Sequence, residues 1–207
     1  MSKLSIQLLG PPKITWENKV ISISRRVPRA ILFYLAAQGK LIGRENLCHI
    51  FWAESSDKQA RQRLRENLSR LRKNLPDPSF LITENNNISL DFDRIDVDLL
   101  AFEQLVETAG QIPWQFPNTE LLPEHTYQTL TAAIAHWHGN QFLAGVRLPA
   151  NPLLDNWLSS TSLRLEQRRT SILLRLNHHA YLAQKIDSAL GFAHMVLETD
   201  NTNDEAH

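Results

Sequence analysis

Residues 60–73 read ARQRLRENLSRLRK. On a helical wheel of about 100° per residue, Ala60, Leu64, Leu68 and Leu71 fall on one stripe, which Leu75 extends. Arg63, Asn67 and Arg70 line one shoulder of that stripe, Arg61, Arg65 and Arg72 the other, and Gln62, Glu66 and Lys73 lie between them. A solvated helix usually carries charges of both signs, because ion pairs at i,i+4 support it. Only Glu66 and Arg70 have that spacing and order here, so four arginines and Lys73 find no such partner within the helix. A surface of this kind suits phosphates, and it marks 57–75 as the candidate recognition helix of a nucleic-acid reader.

The flanking segments give this helix its setting. Upstream, 44–52 is expected to be a helix burying Leu47, Ile50 and Phe51, with Asp57 as the N-cap of the arginine helix. Pro28 suits the first turn of an earlier helix that runs to about residue 37 and buries Ile31, Leu32 and Leu35. Gly39 closes it. Before that, Leu4, Ile6 and Leu8 alternate as a strand, Gly10-Pro11-Pro12 turns it, and 14–16 and 20–23 make two further strands around Asn18.

Downstream, Pro76-Asp77-Pro78 ends the arginine helix, since a residue preceding proline disfavours helical angles. Residues 80–83 and 88–92 then form a hairpin across Glu84-Asn85-Asn86-Asn87, where asparagine tolerates left-handed backbone angles. Three helices and a terminal hairpin predict an α+β winged helix-turn-helix domain over 1–94.

Beyond Asp96 the pattern is helical without strands. Segments 99–107, 127–138, 152–183 and 186–198 carry apolar residues at three- and four-residue spacing. Irregular connections are expected at 110–123, with Pro113, Pro117 and Pro123, and at 139–152, with Gly145, Pro149 and Pro152. Neighbouring antiparallel helices of this size predict an all-α, TPR-like helical-repeat domain over 95–207.

Charge divides the chain in the same way. The whole sequence balances 22 basic against 22 acidic residues, but residues 1–75 hold 15 against 5 and residues 76–207 hold 7 against 17. Halves of about +10 and −10 imply that one part meets a polyanion while the other does something else. A length of 207 residues suits two small domains, each with a modest core of its own.

Cys48 is the single cysteine, which excludes a disulfide framework and a multi-cysteine metal site and fits a reducing compartment; it reads as a small core residue. No apolar run approaches the ~20 residues of a membrane span, and no signal-peptide h-region opens the chain, so a cytoplasmic location is expected.

In this order the segments resemble bacterial transcriptional activators of the antibiotic regulatory protein (SARP) type, which join an OmpR-like winged helix to a helical bacterial transcriptional activator domain. The resemblance is carried by Leu8-Leu9-Gly10-Pro11, by Phe51-Trp52, and by Ala60-Arg61 with Ser69-Arg70-Leu71-Arg72. Asp96-Val97-Asp98 with Phe102, His136-Trp137, and Leu197-Glu198 with Asp200 and Asp204-Glu205-Ala206-His207 complete it. The last group looks like the first turn of a further helix, so the helical domain is expected to continue past His207. The hairpin departs from the family in lacking its glycine-tyrosine feature. The resemblance implies double-stranded DNA as a partner, contact with RNA polymerase, and a homodimer as an option.

Within a major groove, early residues of the helix face base edges and flanking residues meet the backbone. Arg61, Gln62, Arg63 and Asn67 are the expected base readers, since arginine fits guanine and amides fit adenine. Arg65, Arg70, Arg72 and Lys73 are the expected phosphate contacts, joined by Arg25, Arg26 and Arg29 near the first helix and by Arg44 at the start of the second. Asn85, Asn86 and Asn87 are placed to reach the minor groove or sugar, with Asn86 at the hairpin tip. Glu66 either accepts from a cytosine amino group or holds Arg70 or Gln62.

Trp137, Phe142 and Trp157 read as core, and Arg164, Arg168, Arg169 and Arg175 as surface or dimer-contact charges. Neither His178-His179 nor His136 with His138 has the i,i+4 spacing of a helical chelate, so no metal is expected. No nucleophile elbow or glycine-rich phosphate loop occurs, which predicts a non-enzyme without a cofactor. The main rival is a protein-interaction adaptor or sensor whose winged helix has lost DNA binding. RNA binding is disfavoured, because no aromatic stacking platform accompanies the charge.

Overall fold

The computed structural model describes residues 3–110, 120–147, 149 and 151–204, with side chains described as far as 198. Strand β1 (Leu4–Gln7) pairs antiparallel with β2 (Lys13–Trp16), Ile6 opposite Ile14, and β2 pairs with β3 (Lys19–Val20). Glu17 and Asn18, both at positive φ, turn the second pair. The alternation read in the sequence is real burial, since Leu4, Ile6 and Leu8 are fully enclosed.

A fourth strand, β7 (Ile95–Val97), completes the sheet by lying parallel to β1, with Leu4 opposite Ile95 and Ile6 opposite Val97. Residues 95–97, which follow the expected 94/95 division, thus lie in the first sheet. Three residues are too few to display alternation, and a parallel partner more than ninety residues away leaves no local signal.

Helix α1 (Arg26–Gln38) ends on Gly39, whose positive φ lets its N–H reach the Leu35 carbonyl. Helix α2 (Arg44–Trp52) follows, then α3 (Asp57–Asn74), which begins after Ser56 in the N-cap position rather than at an Asp57 cap. A 3₁₀ turn at Pro78–Phe80 leads to β5 (Leu81–Glu84) and β6 (Asn87–Leu90), with Asn85 and Asn86 turning the hairpin at positive φ. A short strand β4 (Ile42–Gly43) adds to β6, giving the order β4-β6-β5. The three helices pack with this hairpin in a mixed α/β arrangement, and Leu64, Leu68 and Leu71 of α3 point into its core.

The C-terminal region is helical: α4 (Asp98–Thr108), α5 (Glu124–Ile134), α6 (Pro152–Leu182) and α7 (Ile186–Asp204). Residues 111–119, with the expected proline connection, lie outside the described residues, as do 205–207. Helix α5 stops before the expected 138, because the chain turns there and His138 N–H donates to the Leu9 carbonyl at 2.7 Å. Helix α7 continues to Asp204, beyond the expected end near 198, and the rest of the further helix turn expected from Asp204 lies outside the described residues. Among the described residues no helix is long and apolar enough to cross a membrane.

The two regions are joined without a linker. Asp98, 8% exposed, accepts from the N–H groups of Leu8, Leu9 and Leu99 at 2.7–3.0 Å, fastening the start of α4 to the end of β1. Leu143 N–H donates to the Leu8 carbonyl and Ala144 N–H to the Gly10 carbonyl. Asn151 caps α6 with its side-chain oxygen and donates through Nδ2 to the Ile50 carbonyl of α2. Tyr34 of α1 meets Trp157 of α6 edge-on at 4.9 Å, and Phe142 lies 6.0 Å from the same indole. Among the described residues the buried ones form one continuous cluster from Leu4 to Phe192.

Candidate nucleic-acid interface

Helix α3 presents its polar surface because burial takes only one stripe of it. Arg61, Gln62, Arg63, Arg65, Glu66, Ser69, Arg70 and Lys73 are exposed, and Arg72 is half-buried. Asn67 departs from the expectation that it reads bases: it is 8% exposed, and its Nδ2 donates to the Arg63 carbonyl one turn back at 2.7 Å. Its position explains this, since residue 67 lies seven residues after Ala60 and returns to the buried stripe.

The two shoulders of α3 have different neighbours. On one side Arg61 and Arg65 join Arg44, the first residue of α2, and Asn86, at the hairpin tip, around a cleft of about 310 Å³ that Glu45 and Leu64 also line. The Asn86 carbonyl accepts from Arg44 N–H at 2.9 Å, so the hairpin and helix α2 meet at that cleft. Glu45 lies 3.8 Å from Arg61, a solvent-exposed pair that contributes little. Farther along this shoulder, Arg72 Nη2 donates to Thr83 Oγ1 of β5 at 2.6 Å.

On the opposite shoulder Arg63 turns back toward the α2–α3 turn, donating from Nη1 to Ser55 Oγ at 2.9 Å. There it lines a groove of about 510 Å³ with Phe51, Trp52, and Asn151 to Leu153 at the start of α6. Between the shoulders, Glu66 accepts from Gln62 Nε2 at 3.1 Å and lies 3.8 Å from Arg70. Of the two readings of Glu66, this geometry matches the one that holds its neighbours on the helix.

Charge is uncompensated over most of this surface. Among the described residues Arg25, Arg26, Arg44, Arg63, Arg65, Arg72 and Lys73 have no carboxylate within 4 Å. Arg25 and Arg26 stand exposed at the start of α1, and no hydrogen bond or ion pair among the described residues ties them to α3. Asn85 and Asn86 are exposed, whereas Asn87 is half-buried. Burial pushes the Cys48 thiol up, against the lowering pull of Arg61 and Arg44, so it stays protonated beneath this surface.

Sequence reasoning missed Ser55 and Thr83, the hydroxyls that hold Arg63 and Arg72 of α3. Thr83 had a signal, since it stands on the same strand face as Leu81 at the hairpin's outer end. Ser55 had none. In the helical region Arg164 pairs with Glu103 at 2.8 Å on the surface as expected, but Arg169 and Arg175, at 4% and 9% exposed, are interior residues rather than surface charges. They sit on the core side of α6, and the Arg169 guanidinium lies 5.1 Å from the Trp137 ring centre.

No family model and no curated protein matches the chain. Among solved structures, that of Mycobacterium tuberculosis EmbR in complex with a low-affinity phosphopeptide has a similar fold, with a TM-score of 0.57 at 20% identity. The match covers 95% of this chain and 59% of the EmbR chain. It therefore takes in both the mixed α/β N-terminal region and the helical region that follows, and it is a likeness of fold.

Proposed function

We propose that this chain is a sequence-specific double-stranded DNA-binding regulator of transcription, acting as an activator in the cytoplasm. One observation carries the reading: uncompensated cations gather on α3, on the first residue of α2 and beside the wing, on the only strongly basic part of a chain that is neutral overall. In this reading α3 lies in the major groove, with residues up to 97 forming the DNA-binding unit. Gln62, ordered by Glu66, faces base edges together with Arg61 and Arg63, whose side chains swing from the shoulders. Arg44, Arg65, Arg72 and Lys73 hold phosphates, joined by Arg70 on the opposite shoulder, and Asn86 approaches the sugar-phosphate backbone.

The acidic, TPR-like helical half then serves dimerisation or contact with RNA polymerase. The EmbR likeness supports the pairing of these two regions in one fold, and the sequence resemblance to SARP-type activators supports regulation of transcription and its direction. The chain spans 59% of the length of the EmbR chain.

The test is selection of bound duplexes from a random pool, followed by titration of affinity against salt. An enriched motif and a log–log slope of several units are expected, since each neutralised phosphate contributes about −0.9. A pool that yields no motif, or a flat slope, overturns the reading and favours the adaptor.

A further inference from the structure

Thr83 lies on wing strand β5 opposite Ile88, and with Leu81, Ile88 and Leu90 it occupies the hairpin face turned to the core. The other three are buried, whereas Thr83 sits at the outer end, where core gives way to solvent. Its hydroxyl accepts from Arg72 Nη2 at 2.6 Å, and Arg72 has no carboxylate within 4 Å among the described residues. Among the described residues this hydrogen bond joins the cationic surface of α3 to the wing.

Resting on the reading of α3 as a recognition helix, we infer that Thr83 is a positioning residue for DNA binding: it orders the Arg72 guanidinium before DNA arrives and sets the wing at a fixed distance from that helix. A free arginine loses much of its side-chain freedom when it grips a phosphate, and an arginine already held by a neutral acceptor loses less. The hydroxyl occupies one of five guanidinium donors, which leaves the others for a phosphate. A carboxylate at position 83 would order Arg72 equally well but cancel its charge. A neutral acceptor keeps the charge available.

The experiment uses the full chain and the selected duplex. Thr83→Val keeps shape and strand preference but removes the acceptor, and Thr83→Ser keeps the acceptor. Thr83→Val is expected to weaken binding about 3- to 10-fold without changing the salt slope, since no charge is lost, while Thr83→Ser stays within about 2-fold of the parent. Arg72→Ala should weaken binding and reduce the slope by about one unit. In the Arg72→Ala background, Thr83→Val should cost nothing more. Thr83→Val binding like the parent, or losses that add in the double variant, would overturn the inference. A parent chain that binds no duplex would instead overturn the reading on which it rests.

Discussion

His179 of α6 ties down the segment that leads into α5. It is 5% exposed, its Nδ1 accepts from Leu122 N–H at 3.0 Å, and its ring stacks on Tyr127 at 4.3 Å. Burial, reinforced by Lys185 and Arg175 and opposed by Glu124, holds its pKa below the ordinary histidine value. The folded state therefore favours the neutral ring, so this stabilisation is complete above the unfolded histidine pKa of about 6.5 and is lost as pH falls through the folded value. Protonation would also turn the Nδ1 acceptor into a donor facing the Leu122 N–H. Thermal melts from pH 7.5 to 5 should show a fall in stability that His179→Gln, which accepts without titrating, reduces. An unchanged pH slope in His179→Gln would refute the assignment. The adjacent histidines drew attention in the sequence only as a poor chelate. A base used as a neutral acceptor depends on an N–H fifty-seven residues away, which no spacing rule reveals.

At the scale of elements, legibility followed the range of the forces involved. Helix α2 occupies the expected residues, and α3 follows its stripe of leucines, because periodicity and the stops at Gly39 and Pro76 are local. Asn67 escaped because polar type outweighed position in reading the wheel, although the period placed it inside. Of the candidate site, the arginines on both shoulders were legible as a charge anomaly, whereas the hydroxyls that hold Arg63 and Arg72 depend on how the turn and the hairpin fold back.

Strand β7 and the helix that follows it illustrate the other extreme. Their position depends on Asp98, whose buried carboxylate accepts from three backbone N–H groups at the ends of β1 and β7. Burial raises its pKa, against the lowering effect of those bonds. Removing a buried charge usually relieves desolvation, which would make Asp98→Asn stabilising. The geometry opposes this, since an amide nitrogen in place of either oxygen would face an N–H donor and leave it unsatisfied, at about 1–3 kcal/mol. Asp98→Asn is thus expected to lower unfolding free energy in denaturant titrations; a gain would mean that desolvation dominates.

For the whole molecule, the charge division and the packing division do not coincide. The sequence separates a basic part from an acidic one, yet the buried residues form one cluster across the boundary, and the carbonyls of Leu8, Leu9 and Gly10 accept from the N–H groups of Leu143, His138 and Ala144. Functions can therefore be separate while stability is shared. Heating should produce a single transition, with calorimetric and van't Hoff enthalpies equal, as for one cooperative unit. Gly10 offers the sharpest perturbation of that junction: it has φ of +133°, and a Cβ there would lie 2.8 Å from the Gly139 nitrogen and the His138 carbonyl carbon. Both contacts are backbone, so neither yields by rotamer change, and Gly10→Ala combines steric overlap with an angle that alanine rarely adopts. It should lower the melting temperature by several degrees, as expected for a loss of at least 1–2 kcal/mol in a domain of roughly this size. Splitting of the transition in Gly10→Ala would show that this seam couples the two regions. Two well-separated transitions in the parent chain would instead show that the regions fold independently, and that the continuous core contributes little across the boundary.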